Sequence, residues 1–329
     1  MSKIDWIRKV YGDGQHNAFT DMVRWGGSIY ICFRHGTGHI SMDGVIKVLY
    51  STDLQNWKEC GCLTTLGDDR DPHFTATEDE LRVYFGTADI RHNADKGKPE
   101  RGIIKSHFCT TLDGKHWTEP QAVYKEGCWL WRVEKFGEMY YSAGYETIFP
   151  GVTSEYQLKF LQSSDGLNWL MLSLISDQRH PDEAAMFCRK DGHILAITRM
   201  EDEKQEAFLF ESDPPYRRWV GTCLEAVIHS PAIVQVGEEL IVAGRSRYVL
   251  EPREKNRLIY AYHTSLWRLE EQTVTELITV PSEGDNAYPG LVADGEDAVL
   301  ISWYSMHDQQ AEPNWNKDTA SIYLARITL

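Results

Sequence analysis

One recurrence restricts the fold of this chain more than any other feature. A short apolar strand, a tight turn with Gly or acidic residues, and a second apolar strand appear six times. The copies are "TDMVRWGGSIYICFR", "DPHFTATEDELRVYFGT", "WRVEKFGEMYYSAGY", "EAAMFCRKDGHILAITR", "PAIVQVGEELIVAGR" and "PGLVADGEDAVLISWYS". They fall roughly 55 residues apart and together account for the 329 residues. A third apolar segment follows each of the first five: "GVIKVLYSTD", "GIIKSHFCTTLD", "YQLKFLQSSD", "EAFLFESD" and "RLIYAYHTS". With one more strand, each unit has the four antiparallel strands of a propeller blade. The sixth unit ends at "SIYLARITL" with no fourth strand, and the N-terminal "IDWIRKVY" can supply it, closing the ring so that no edge stays open. The sequence therefore predicts an all-β chain, one six-bladed β-propeller domain over residues 1–329.

The third strands lead into a smaller repeat, Ser/Thr-x-Asp-x-x-x-Trp. It reads "STDLQNW" (51–57), "TLDGKHW" (111–117) and "SSDGLNW" (163–169), with a stretched relative "ESDPPYRRW" (211–219) and a degraded one "YHTSLW" (262–267). Asp and Ser side chains bond turn amides well, so the motif is read as the turn between strands three and four. Its Trp is expected to pack between neighbouring sheets. A catalytic site does not need five copies; the repeat is scaffold.

Composition agrees. Eleven Trp and sixteen Tyr suit strands better than helices. A formal charge of −15, with no basic run, argues against nucleic acid and anionic membranes as partners. The N-terminus lacks an apolar leader and no stretch approaches a membrane span, so a cytoplasmic location is expected. Seven cysteines follow no disulfide or zinc spacing and read as reduced thiols; no cofactor or metal is expected.

Propellers bind ligands where the innermost strands and the loops between blades converge on the channel mouth. Polar residues at those strand ends include Asp21, Arg34, His39, Arg70, Asp71, Trp131, Arg132, Glu183, Arg199, Arg245, Asp285 and Tyr288. So many arginines and carboxylates fit an anionic or polyhydroxylated ligand.

At these residues the chain resembles the retaining sialidases (neuraminidases), which are six-bladed propellers with Asp-box repeats. "DEAAMFCRKDGHILAITR" is similar to the family's Glu followed by an inner strand pair ending in Arg, at Glu183 and Arg199. "NAYPGLVADGEDAVLISWY" places Tyr288 where the family has its tyrosine nucleophile. "RDPHF" places Asp71 at its sugar-contacting Asp, "CFRHG" places Arg34, and "RLIYAYHTS" places Arg257 at a clamp arginine. The family opens blade one with Arg-Ile-Pro, whereas "HNAFTDMV" stands here, so one of three clamp arginines is missing. The family's acid/base Asp lies on the loop after the second strand, which in "RHGTGHISMDGV" leaves His39 or Asp43.

The resemblance implies a glycoside hydrolase acting on a terminal acidic sugar. Tyrosine, with a phenol pKa of about 10, needs a base such as Glu183 to take its proton during attack. A neutral nucleophile suits an anomeric carbon that bears a carboxylate. Arg199 and Arg257 would hold that carboxylate, with Arg34, Arg70, Asp71, Asp21 and Trp131 lining the rest of the substrate site. Two alternatives stand beside it. One is a polysaccharide lyase abstracting a proton next to a uronate carboxylate, drawing on His39, His73, His180 or His307. The other is a non-catalytic glycan-binding propeller.

Overall fold

The structure is a computed structural model that describes residues 2–93, 98–146, 156–250, 259–308 and 319–329. The described residues form six antiparallel sheets and no α-helix. Blade I contains β2 (His16–Trp25), β3 (Ser28–Gly36), β4 (Val45–Ser51) and β5 (Lys58–Leu63), in that order from the axis outward, after β1 (Lys3–Tyr11). Blade II contains β6 (Asp68–Ala76), β7 (Leu81–Asn93), β8 (Lys98–Thr111) and β9 (Gln121–Val123). Blade III has a divided inner strand, β10 (Cys128–Trp129) and β11 (Glu134–Phe136), followed by β12 (Met139–Glu146), β13 (Leu158–Ser163) and β14 (Leu170–Ser176).

Blade IV contains β15 (Pro181–Cys188), β16 (Ile194–Met200), β17 (Phe208–Ser212) and β18 (Val220–Cys223). Blade V contains β19 (His229–Val236), β20 (Glu239–Leu250), β21 (Ile259–Glu270) and β22 (Thr273–Val280). Blade VI contains β23 (Ala287–Ala293), β24 (Ala298–Ser305) and β25 (Ser321–Thr328), with β1 paired to β25 as its outer strand. The ring is thus closed by the N-terminal strand, as the count of apolar segments requires.

The three compact Asp/Trp motifs form the expected turns. In the third, Asp165 Oδ1 accepts from the amides of Leu167 and Asn168 (both 2.8 Å), and Ser163 Oγ accepts from Gly166 N at 2.9 Å. Asp53 and Asp113 repeat this pattern. Each turn docks on the blade before it. Arg8 donates to the Leu54 carbonyl, Tyr84 donates to the Gly166 carbonyl, and a Cβ on Gly114 would meet Tyr30 Oη at 2.1 Å. Trp169 is buried against Tyr84 and Phe108 of blade II. The stretched copy docks likewise, with Trp219 Nε1 donating to Ser173 Oγ of blade III. The degraded copy is corrected: "YHTSLW" lies inside strand β21, where Trp267 joins a core cluster and no turn exists. It has no Asp to hold the amides of a turn.

The inner strands crowd the axis; a Cβ on Gly290 would meet Met22 N at 2.3 Å. One buried ion pair links the blades there. Arg132 Nη1 donates to Asp21 Oδ1 at 3.0 Å, while its Nε and Nη2 donate to the carbonyls of Pro231 and Pro289 at 2.8 Å each. Asp21 Oδ2 accepts the amide of Phe74 at 2.8 Å. Blades I, II, III, V and VI therefore meet through two side chains. Losing one partner of such a pair leaves a buried uncompensated charge, at a cost of about 3–5 kcal/mol.

Candidate active site

Five of the six inner strands carry the same irregularity at their channel end. In each, two consecutive inner residues oppose one residue of the next strand: Phe19-Thr20, Asp71-Pro72, Asp182-Glu183, Ser230-Pro231 and Tyr288-Pro289. Such a bulge re-aims a side chain that the pleat would otherwise send into the sheet. Phe19, Asp71, Ser230 and Tyr288 all have positive φ, between 47° and 58°. In blade III the strand breaks altogether, and Arg132 turns inward with φ 39°. Positive φ is unfavourable for these residue types, so the surrounding structure must hold it. At Tyr288 it does: Thr20 Oγ1 donates to the Tyr288 carbonyl at 2.6 Å, and Arg132 to the Pro289 carbonyl.

Three of these bulges meet in one network. Tyr288 Oη donates to Glu183 Oε1 at 2.6 Å. Arg199 Nη1 lies 2.9 Å from the same oxygen, and Ser230 donates to Glu183 Oε2 through both its amide and its hydroxyl, at 2.9 Å each. Arg199 also faces Asp182 and pairs closely with Glu201. Burial alone would raise the Glu183 carboxyl, but Arg199 and the hydrogen bonds from Tyr288 and Ser230 bring it below its ordinary value. Burial, with Glu183 and Asp71, pushes the Tyr288 phenol well above its ordinary value. The pair is thus carboxylate and phenol joined by one short hydrogen bond.

A second carboxylate gathers the other side of the mouth. Asp285 Oδ2 lies 3.0 Å from His16 Nε2 and 2.6 Å from His39 Nδ1, and Oδ1 accepts from Tyr304 Oη at 2.8 Å. Arg245 Nη1 stands 3.7 Å from Oδ1. Against the effect of burial, the two histidine contacts hold the Asp285 carboxyl well below its ordinary value. The ligand atoms of His16, His39 and Asp285 lie within 4.8 Å of one another, near enough to share an ion. However, His16 Nδ1 faces Arg34 Nη1 at 3.4 Å, and a guanidinium can only donate. The ring hydrogen therefore sits on Nε2 and points at Asp285, an arrangement that opposes a cation there.

Arg34 is fully buried, bonded to Asp68, the Gly38 carbonyl and Ser41. Arg70 joins it, contacting Asp68, Asp71 and the Phe19 ring. Asp21 belongs to the axial ion pair, and Trp131 backs the Tyr288 ring at 5.7 Å. Asp43 accepts from Thr37 N and Oγ1 at 3.1 Å, capping its own loop. Arg257 lies outside the described residues. Of the histidines that lyase chemistry could draw on, His73 is buried against Trp131, His307 packs at a tilt against Tyr323 and His180 against Tyr156. His39 touches the ring of Phe19, which in turn lies 4.7 Å from Tyr288.

Arg245 and Asp285 carry more of the site than their strand-end positions suggest. Arg245 lies opposite the bulge-bounding His229, as Arg199 lies beside the bulge of blade IV, and helps hold the Glu183 carboxyl down. The signal that could have found it is that register: an Arg opposite the bulge or its bounding residue in the second strand of blades I, IV and V alike.

The sequence matches no protein-family model and no curated relative. Solved structures of the same shape are found. A Dyadobacter fermentans protein of unknown function aligns over 100% of this chain and 99% of its own, with TM-score 0.77 and 15% identity. The phage phi92 endosialidase aligns over 99% of this chain and 69% of its own, with TM-score 0.68 and 12% identity. Trypanosoma rangeli sialidase, in complex with 2,3-difluorosialic acid as a covalent intermediate, aligns over 100% of this chain and 59% of its own, with TM-score 0.63 and 11% identity. This chain thus spans little more than half of that sialidase. At such identities the likeness is one of fold: a sialidase-like six-bladed propeller.

Proposed function

We propose that this protein is a retaining glycoside hydrolase that removes a terminal acidic, sialic-acid-like sugar from a glycan. The reading rests on one observation: at the channel mouth Tyr288 Oη donates to Glu183 Oε1 at 2.6 Å, with Glu183 fixed by Ser230 and Arg199. Tyr288 attacks the anomeric carbon and Glu183 takes the phenolic proton as the bond forms. Arg199 and Arg245 flank the pair and serve the sugar carboxylate by charge-assisted hydrogen bonds. An uncharged nucleophile avoids the repulsion that a carboxylate would meet at that carbon. A similarly folded sialidase has been captured as a covalent intermediate with difluorosialic acid, which supports a covalent route on this scaffold.

The test is covalent trapping. Incubation with a 2,3-difluorinated sialosyl fluoride is expected to add one sugar to the intact mass, on the peptide containing Tyr288. Tyr288→Phe is expected to show no adduct. Label on another residue, or glycoside turnover that survives Tyr288→Phe, would overturn the mechanism.

A further inference from the structure

The network around Tyr288 supplies a nucleophile and its base, but nothing in it protonates the departing oxygen. We infer that His39 is the acid/base of the site and that Asp285 is the residue that positions it. The inference deepens the hydrolase reading and rests on it.

Four observations carry it. First, the carboxylate nearest in sequence, Asp43, turns its Oδ1 back onto the Thr37 amide and hydroxyl of its own loop. Second, His39 Nδ1 is 2.6 Å from Asp285 Oδ2, the arrangement in which a carboxylate fixes the tautomer and orientation of an imidazole and stabilises the imidazolium. Third, the loop is held from below: Arg70 Nη1 donates to the His39 carbonyl at 3.3 Å, and the His39 ring stands edge-on to Phe19 at 5.2 Å. Phe19 is the bulge residue of β2 and lies 4.7 Å from the Tyr288 ring, so acid and nucleophile flank one aromatic side chain. Fourth, the His39 side chain is 40% exposed, whereas those of His16 and His73 are 0% and 2% exposed.

Among the described residues, His39 is faced by His16 and Phe19 from β2, Asp285 from the loop before β23 and Arg70 from β6, with Tyr304 and Arg245 behind Asp285. Arg34, through His16 Nδ1, makes His16 a donor to Asp285 as well. Asp285 therefore receives hydrogen bonds from two imidazoles and a phenol, more than a carboxylate serving only the local fold requires.

The steps balance. In the first, the Tyr288 oxygen bonds the anomeric carbon while the glycosidic C–O bond breaks. The Tyr288 proton passes to Glu183, and the His39 Nε2 proton passes to the leaving oxygen. In the second, water attacks the anomeric carbon and gives its proton to His39. The bond to the Tyr288 oxygen breaks as water adds, and Glu183 returns the phenolic proton to that oxygen.

The experiment compares two sialosides, an aryl glycoside whose phenolate departs unaided and an alkyl glycoside whose alkoxide needs a proton. Wild type, His39→Asn, Asp285→Asn and Tyr288→Phe are measured on both. His39→Asn is expected to lower kcat/KM by about 10²–10⁴-fold on the alkyl glycoside and by less than about 10-fold on the aryl one. Asp285→Asn should shift the ratio in the same direction by a smaller factor. Azide, which needs no base to attack, should restore kcat of His39→Asn on the aryl glycoside. Equal losses on both substrates with no azide rescue would overturn the assignment of His39 while leaving Tyr288 in place. Turnover by Tyr288→Phe, or none by wild type on either sialoside, would instead overturn the hydrolase reading and the inference with it.

Discussion

Blades I to III and blades IV to VI are built from the same four strands yet spend their sequence differently. The first three end their third strands in regular Asp/Trp turns that lock each blade to the one before it. The last three replace that turn: blade IV with a Pro-Pro variant, blade V with a continuous strand, blade VI with the seam to β1. Those same three blades hold Glu183, Arg199, Ser230, Arg245, Asp285 and Tyr288. Regular repetition marks scaffold here, and the Tyr288–Glu183 network sits where repetition lapses, with His39 reaching Asp285 from a loop of the regular half.

That contrast can be broken by experiment. The largest expected effect is Tyr288→Phe, with a loss of roughly 10³-fold or more in kcat on any accepted glycoside and an unfolding midpoint close to wild type. Next is Trp169→Ala in blade III, which should cost about 3–5 kcal/mol in urea unfolding and leave kcat of the folded enzyme unchanged. A kcat loss there beyond the folded fraction would show that the halves are not separable.

Acid separates them more gently. His229 is held down to about 2 by burial first, then by Arg199, Arg245 and Arg247, and burial also lowers His16 and His73. A depressed histidine contributes stability above its unfolded pKa of 6.5, and that stability is lost as pH falls toward the folded value. Unfolding free energy should therefore decline from pH 6.5 downward, by up to about 1.4 kcal/mol per pH unit for each histidine kept neutral. His229→Gln should flatten that slope. Asp53, Asp113 and Asp165 are held below their ordinary value by turn amides and neighbouring side chains, so their contribution fails only at more acid pH. The smallest effect is Asp165→Ala, a modest drop in unfolding midpoint that should be absent at pH low enough to protonate the turn.

The architecture was legible because its period is long and its units are complete. The closing strand "IDWIRKVY" followed from counting edges, and β1 pairs with β25 as that count requires. "YHTSLW" misled because Trp without the preceding Asp is an ordinary strand residue. In the site, Glu183, Arg199 and Tyr288 could be placed by order along the chain. The bulges could not. Proline after Asp71, Ser230 and Tyr288 argues for extended backbone at those residues, yet all three have positive φ because neighbouring blades hold them there. Asp285 stayed in the background for a similar reason: its histidine partners come from blade I, and no local pattern announces a contact across a ring.

The seam in blade VI has a consequence for how the molecule comes into being. β1 meets β25 with Lys3 opposite Thr328, so the sheet carrying Tyr288 is complete only when the two ends of the described chain have found each other. Joining segments so distant adds little to the entropic cost of closure, which grows only logarithmically with the intervening length, but dependence on non-local pairing slows it. Until the ring shuts, Thr20 and Arg132 have no Tyr288 and Pro289 carbonyls to hold, and the strained bulge has no reason to form. Tyr288 is therefore expected to take its place last, so that a half-folded chain lacks the Tyr288–Glu183 pair.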